Sequence, residues 1–261
     1  MVELLATCTE CGFETSYVYP LCPRCGAPLL PNHHISKFEV CDGEGVWRYR
    51  KLLLLSGCKN CVTLGEGSTP VVEVEFGEFK LLVKVESLNP TGSFIDRGSA
   101  VFTTLAKCLG VRRVYTASLG DFGISLGAYA RRADIKPIVY APRSIPVNKL
   151  LQMRLVGEIV KLYDRYEDAV SRAVDKSREG DLVALPPSPA YVDGYRTVAF
   201  EIIEKLGNEV SYVAVPVGTG TLAVSIWKGF SDLGLEPPPI LGVVPRKGSR
   251  YLHDVEAEIP I

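Results

Sequence analysis

The feature that most constrains this chain is an alternation that begins near residue 78. Apolar, β-branched runs recur at KLLVKVE (80–86), RRVYTAS (112–118), KPIVYA (136–141), EIVKLY (158–163), DLVALP (181–186), YVAVPVG (212–218) and ILGVVP (240–245). Stretches of helical period separate them. In RYEDAVSRAVDKS (165–177), Tyr166, Ala169, Val170, Ala173 and Val174 fall on one face. In YRTVAFEIIEKLG (195–207), Val198, Ala199, Ile202, Ile203 and Leu206 do the same, and Gly207 supplies a stop. Strands apolar on both faces, alternating with amphipathic helices, predict parallel sheets covered on both sides. The fold class is α/β.

At 261 residues the chain can form one large domain or two modest ones, and its 47% hydrophobic content supports a sizeable core. The longest apolar patch, LLLL at 52–55, is far too short for a bilayer, so no membrane partner is expected. A net charge of −1 offers no general attraction to nucleic acid or acidic lipid. The start MVELLATCTECG has no basic stretch and no cleavable apolar segment, which predicts a cytoplasmic protein.

Six of the eight cysteines form Cys-x-x-Cys pairs: Cys8 with Cys11, Cys22 with Cys25, and Cys58 with Cys61. Cys41 and Cys108 stand alone. In a cytosolic chain this spacing favours a metal over a disulfide framework. The first two pairs suit a zinc ribbon within residues 1–31, in which Cys8, Cys11, Cys22 and Cys25 give four thiolates to one structural ion. So short a segment would take its folding energy from the metal. Its one basic side chain, Arg24, makes nucleic-acid binding a poor role for it. Cys58 and Cys61 stay open between a second metal site with Cys41 or with His33 and His34, a redox pair, and plain thiols.

Ligands of such sheets bind in loops at the carboxyl ends of strands. Three loops there carry unusual residues: LNPTGSFIDRG, SLGDFG and PVGTGTL. With WRYR, LGEGSTP (64–70), GISLGAYARRA, DGYRTVAFEI and LAVSIWKGF, they occur in an order that resembles the threonine synthases among the fold-type II pyridoxal-phosphate enzymes. The resemblance runs from about residue 46 onward, and a Cys-x-x-Cys-rich N-terminal extension also occurs in microbial members. It implies two parallel-sheet, three-layer domains behind the ribbon. The larger is discontinuous, residues 32–105 and 178–261, and the smaller spans 106–177. It further implies on the order of a hundred additional residues in the large domain, including the hydroxyl that faces the pyridine nitrogen.

The resemblance also implies a lysine in the first loop, forming the Schiff base to the cofactor. This chain has Ile95 there, and an alkyl group can neither condense with an aldehyde nor relay a proton. Lys80 and Lys84 lie on the preceding strand and do not replace it. Read structurally, Ser93 and Asp96 form a capping box and Ile95 is a packing residue in the first helical turn.

The second loop, Ser118 to Gly123, is similar to the family's Ser-Ser-Gly-Asn-Thr-Gly, which holds the substrate carboxylate and the ring oxygen of the cofactor. Ser118 and Gly120 are kept, Leu119 removes a hydroxyl, and Asp121 puts a carboxylate where an amide is implied. Like charges about 4 Å apart repel by ~4 kcal/mol at a protein-surface dielectric, so Asp121 is expected to oppose an anion. Its structural reading is a helix N-cap.

The third loop keeps Gly218 and Gly220 of a phosphate cradle, with Thr219 and Thr221 as hydroxyl donors. Thr221 and Leu222 stand where the resemblance implies glycine and asparagine, and anion binding and a plain turn stay equally open. These departures predict a catalytically inactive, threonine-synthase-like protein with a binding or regulatory role. It would hold a small anionic ligand, with pyridoxal phosphate at most non-covalent, and would act alone, as a homodimer or with a partner protein. Two readings compete. One is an active lyase turning O-phosphohomoserine into threonine; the other makes the zinc ribbon the working part, as an interaction module.

Overall fold

The computed structural model describes residues 5–33, 35–58, 60–156, 159–207 and 209–244. Pro245, the last residue of the ILGVVP run, the remainder of the 178–261 segment and His34 lie outside the described residues.

The N-terminal module is a small antiparallel sheet. Strands β1 (Leu5–Cys8), β2 (Glu14–Ser16) and β3 (Leu29–Pro31) lie in the order β2-β1-β3. Its buried cluster is only Ala6, Cys8, Cys22 and Leu29, too little apolar surface to fold a segment of this size unaided. Tyr17 fastens the module to the body, its hydroxyl donating to the buried carboxylate of Asp193 at 3.0 Å. The same carboxylate oxygen accepts the Leu54 N–H at 3.0 Å.

Residues 32–61 are packed. A 3₁₀ helix at Val46–Leu52 leads into Leu53, Leu54 and Leu55, all buried, so the LLLL patch is core. No helix among the described residues is long and apolar enough to cross a membrane. Cys58 is joined by a disulfide to Cys108, their Cα atoms 6.5 Å apart. Cys61 is a half-buried free thiol.

β4 (Val71–Phe76) and β5 (Phe79–Lys84) form an antiparallel hairpin. The run at 80–86 is therefore not a strand of a covered parallel sheet, as its apolar content suggested. Gly77, at φ 61°, closes a two-residue turn, and Phe76, Phe79, Leu81 and Leu82 stand exposed.

The alternation then proceeds as α1 (Ile95–Cys108), β6 (Arg113–Ala117), α2 (Asp121–Arg132), β7 (Lys136–Pro142), α3 (Val147–Leu155), β8 (Ile159–Tyr163), α4 (Tyr166–Arg178) and β9 (Val183–Ala184). The strands make a parallel sheet in the order β8-β7-β6-β9. Its two faces follow from strand period. Tyr115, Ala117, Ile138 and Tyr140 pack on Ala169 and Ala173 of α4, while Val139 and Ala141 pack with Met153 of α3 on the other side. This is a three-layer sandwich.

α5 (Pro189–Leu206), β10 (Val213–Pro216), α6 (Thr221–Ser231) and β11 (Ile240–Val243) complete the described chain. α5 begins earlier than its periodicity indicated because Pro189 fits the first helical position; it ends at Gly207, φ 63°, as read. β10 and β11 pair in parallel, the part of the second sheet seen among the described residues. α1 and α5 cross closely because Gly98 and Gly194 lack side chains. A Cβ on Gly98 would stand 2.2 Å from the Tyr191 ring, and one on Gly194 2.3 Å from the Arg97 carbonyl oxygen.

Candidate functional site

The first loop is held by charges that face away from solvent. Arg97, fully buried, donates to Glu86 through Nε and Nη2, both at 2.8 Å. It also donates to Glu201 at 2.6 and 2.9 Å, to Thr197 at 3.0 Å and to Thr69 at 3.2 Å. Lys84 closes the other side of Glu201 and donates to the Thr69 carbonyl at 3.0 Å. Burial alone would raise the Glu201 carboxyl, but Arg97 and Lys84 overcome it and hold the group at about 2. Asn89 links Gly67 to Glu86, accepting from the Gly67 N–H at 2.9 Å and donating to the Glu86 carbonyl at 2.8 Å.

Asp96 corrects the expected capping box. α1 begins at Ile95, with Phe94 at the cap position and no side-chain cap bond. The Asp96 carboxylate reaches back to the Thr91 N–H at 2.7 Å and to the Thr91 hydroxyl, and accepts the Ser125 hydroxyl at 2.6 Å. Ser93 Oγ accepts only a long bond from the Ile95 N–H, 3.3 Å. Asp96 is thus drawn to Thr91 and to α2 instead of to Ser93. Burial raises its carboxyl above the usual range, against those hydrogen bonds.

Ile95 is half-buried against the main core and lines a cleft of ≈ 320 Å³. Ser118, Gly120 and Asp121 of the second loop and Gly218, Thr219, Gly220 and Thr221 of the third line the same cleft. Ile95 and the residues named in the second and third loops therefore converge, with the starts of α1, α2 and α6 opening on one space.

Their individual roles differ from the simple expectation. Ser118 is buried and its hydroxyl is used within its own turn, accepting the N–H groups of Gly120 at 3.0 Å and Gly123 at 2.8 Å. It shapes the loop. Asp121 is not the cap of α2: Gly120 occupies that position and Asp121 is the first helical residue. Its carboxylate is paired with the ammonium of Lys149. That pairing removes the premise that Asp121 presents an uncompensated charge to the cleft. Thr219 and Thr221 hydroxyls share one hydrogen bond, 2.8 Å, so one hydroxyl proton stays available to a ligand. A Cβ on Gly218 or Gly220 would meet nothing within 4 Å, which makes the backbone of this turn approachable.

Sequence reasoning missed Lys149 and Tyr195 and gave Phe122 of the second loop no role, and all three line the cleft. Tyr195 sat inside a helical motif already assigned to packing. Lys149 comes from α3, which carries no motif, and nothing in the linear sequence flags it.

The cysteine module has its own geometry. Ligand atoms of Cys8, Cys11, Cys22 and Cys25 all lie within 4.8 Å of one another. The closest sulfur pairs are Cys8–Cys25 at 3.4 Å, Cys25–Cys11 at 3.5 Å and Cys11–Cys22 at 3.8 Å. Four thiolates at Zn–S ≈ 2.3 Å on a tetrahedron would be about 3.8 Å apart. The donor set fits that shape. The Cys11 N–H, with that of Glu10, lowers the Cys8 thiol to about 6. Among the described residues this is the one group of metal-ligating type.

A covered parallel sheet, with a cleft beyond the carboxyl end of β6 bordered by the starts of α1, α2 and α6, defines an α/β protein. A family profile for pyridoxal-phosphate dependent enzymes matches residues 62–260, and the chain belongs to that family. It is 33% identical to the threonine synthase of Methanocaldococcus jannaschii over 264 residues, covering 92% of this chain and 65% of that protein. It is 31% identical to the threonine synthase of Methanosarcina acetivorans, covering 86% of this chain and 59% of that one. The chain thus spans about six tenths of the length of these relatives. Among solved structures it is similar in fold to the O-acetylserine dependent cystathionine beta-synthase of Helicobacter pylori. The TM-score there is 0.59 at 23% identity, covering 73% of this chain and 69% of that one. Diaminopropionate ammonia lyase of Escherichia coli gives 0.59 at 19%, covering 70% and 60%.

The residues present fit the family's cofactor in part. The 218–221 turn can receive a phosphate on exposed backbone N–H groups, while position 95 offers no amine for a covalent bond.

Proposed function

We propose that this chain is a threonine-synthase-like protein without threonine synthase activity, whose cleft holds a small anionic ligand, pyridoxal phosphate included, by non-covalent contacts. The observation that carries the reading is Ile95, an alkyl side chain at the cleft wall where the resemblance implies the reactive lysine. The Arg97, Glu86 and Glu201 network behind it supports the reading that the loop keeps its shape for binding. The reading divides the chain into residues 1–31, 32–105 with 178–261, and 106–177; β9 at Val183–Ala184 nonetheless pairs with β6 of the 106–177 unit.

The test adds pyridoxal phosphate to the purified protein, reduces with borohydride and maps any modified lysine by mass spectrometry; O-phosphohomoserine is supplied in parallel. The expected result is saturable binding without a stoichiometric reduced adduct and without threonine. Stoichiometric reduction at one lysine together with threonine release would establish the competing reading, an active lyase. One observation favours that alternative: Lys149 places an amine in the cleft.

The module at residues 1–31 is a structural zinc site in the same reading, supported by the tetrahedral spacing of its four sulfurs. With all four positions taken by protein, the ion has no open site for chemistry. Elemental analysis of protein purified without chelator should give about one zinc per chain. Loss of that zinc in a Cys22→Ser, Cys25→Ser double variant is the second half of the test, and its retention would overturn the assignment.

A further inference from the structure

Among the described residues, two charged side chains line the cleft, and they are bonded to each other. Asp121 and Lys149 come from different helices, 28 residues apart, and meet as an ammonium–carboxylate pair. Lys149 is held in place by the turn it crosses. A Cβ on Gly120 would stand 3.2 Å from both Cγ and Cδ of Lys149, so the absence of a side chain there lets the lysine stem lie flat on the loop. Gly120 also has φ 151°, a conformation that other residues avoid. The side chain of Lys149 is 33% exposed and that of Asp121 is 59% exposed.

The charge of the cleft follows. The two side chains cancel, and the dipoles at the starts of α2 and α6 each add up to about +0.5 of a charge, with the Gly123 N–H of α2 already held by Ser118 Oγ. A neutral pair beside two positive helix ends leaves a net attraction for an anion. Phe94, Phe122, Tyr195, Leu119 and Leu222 supply apolar wall around it. The combination suits a phosphate monoester with an aromatic or apolar body.

We infer that Lys149 is the side-chain cation that contacts the anionic group of such a ligand, and that Asp121 is its resident counter-ion, holding the amine over the cleft until the ligand competes for it. The inference rests on the reading of the cleft as an anion site and adds the residue that makes it one. Asp121 thereby changes meaning, from a charge that repels the ligand to a group that positions the cation binding it.

The experiment uses the full chain at low salt, with inorganic phosphate and pyridoxine 5′-phosphate as calorimetric probes. Pyridoxine phosphate lacks the aldehyde, so imine formation cannot contribute. Lys149→Met should weaken pyridoxine phosphate binding about tenfold to a hundredfold, the range for losing a hydrogen bond to a charged partner. Lys149→Arg should restore most of it. Asp121→Asn should tighten binding severalfold, because it frees the ammonium, and a merely misfolded variant would not do that. Unchanged affinity in Lys149→Met, or weaker affinity in Asp121→Asn, overturns the inference while leaving an anion cleft in place. Failure of the unaltered protein to bind either probe overturns both the inference and the reading beneath it. Tighter binding of pyridoxine phosphate than of inorganic phosphate assigns the apolar wall to the same ligand.

Discussion

The stretch from Glu86 to Arg97 has an inner and an outer side, and the two differ in kind. On the inner side Glu86, Asn89, Asp96 and Arg97 are tied to Glu201, Thr69, Gly67, Thr91 and Ser125. On the outer side, facing the cleft, stands Ile95, with Leu119 and Leu222 of the second and third loops beside the same cleft, all at positions where the resemblance implies groups with nitrogen or oxygen. The inner residues are fixed by folding itself. A buried guanidinium or carboxylate without its partner costs several kcal/mol whether or not the protein turns over a substrate. The outer residues carry no such penalty, because a side chain at a cleft wall can become alkyl and still pack. Chemistry can therefore be lost from this loop while its shape is kept.

The sharpest way to break the comparison is to remove the inner cation. Arg97→Met keeps much of the volume and leaves Glu86 and Glu201 facing each other with Lys84 as the remaining cation of the network. Denaturant unfolding should show a loss of about 3–5 kcal/mol, the usual result of breaking one side of a buried ion pair. A loss under about 1 kcal/mol would mean that the network is not structural, and the distinction between the two sides would fail.

A smaller effect is expected from acid. The Glu201 carboxyl is held at about 2, below its usual value, after Arg97 and Lys84 outweigh its burial. A depressed carboxyl contributes stability that is present above its unfolded pKa and lost as pH falls through its folded pKa. The window is therefore from near 4.5 down to about 2. The loss across it is on the order of 3 kcal/mol, at about 1.4 kcal/mol per unit. Asp96, raised by burial, works with the opposite sign: its contribution is present at low pH and fades as pH rises through its raised value. Unfolding free energies of wild type and Glu201→Gln, followed through that window, separate them. The variant should show a shallower slope by up to one proton; equal slopes would contradict the assignment.

The fold was legible where burial repeats at a fixed period. β6 and β7 are apolar on both faces because helices cover both, and α4 shows its face at 3.6 residues per turn. The hairpin at 71–84 was misread for a related reason. Its strand at 79–84 is apolar but exposed, and sequence cannot tell an apolar strand that is covered from one that is not. Within the site, Ile95, Asp121 and the 218–221 turn were legible because each lies in a loop with a recognisable pattern. Lys149 was not, since its meaning comes from the crossing of α3 over Gly120, a contact between residues 29 apart that no local pattern encodes. The capping arrangement failed for a similar cause. Local rules paired Asp96 with Ser93, whereas Ser125 of α2 and Thr91 together gave its carboxylate better donors.

The smallest effect on stability should come from the outer side, at position 95. Ile95 is half-buried and borders the cleft, so a lysine there can lay its stem along the wall and put its ammonium into the open space. Ile95→Lys should therefore cost only about 1 kcal/mol, for the apolar surface that is no longer buried. A charge forced into packing would instead cost several kcal/mol. The restored amine should react with pyridoxal phosphate, giving a borohydride-reducible adduct that mass spectrometry places at residue 95. Threonine should still not be released from O-phosphohomoserine, because Leu119 and Leu222 supply no hydrogen bonds to a reacting ligand. A destabilisation near that of Arg97→Met would show that position 95 belongs to the framework. Appearance of threonine would show that the amine was the only chemical group the cleft lacked.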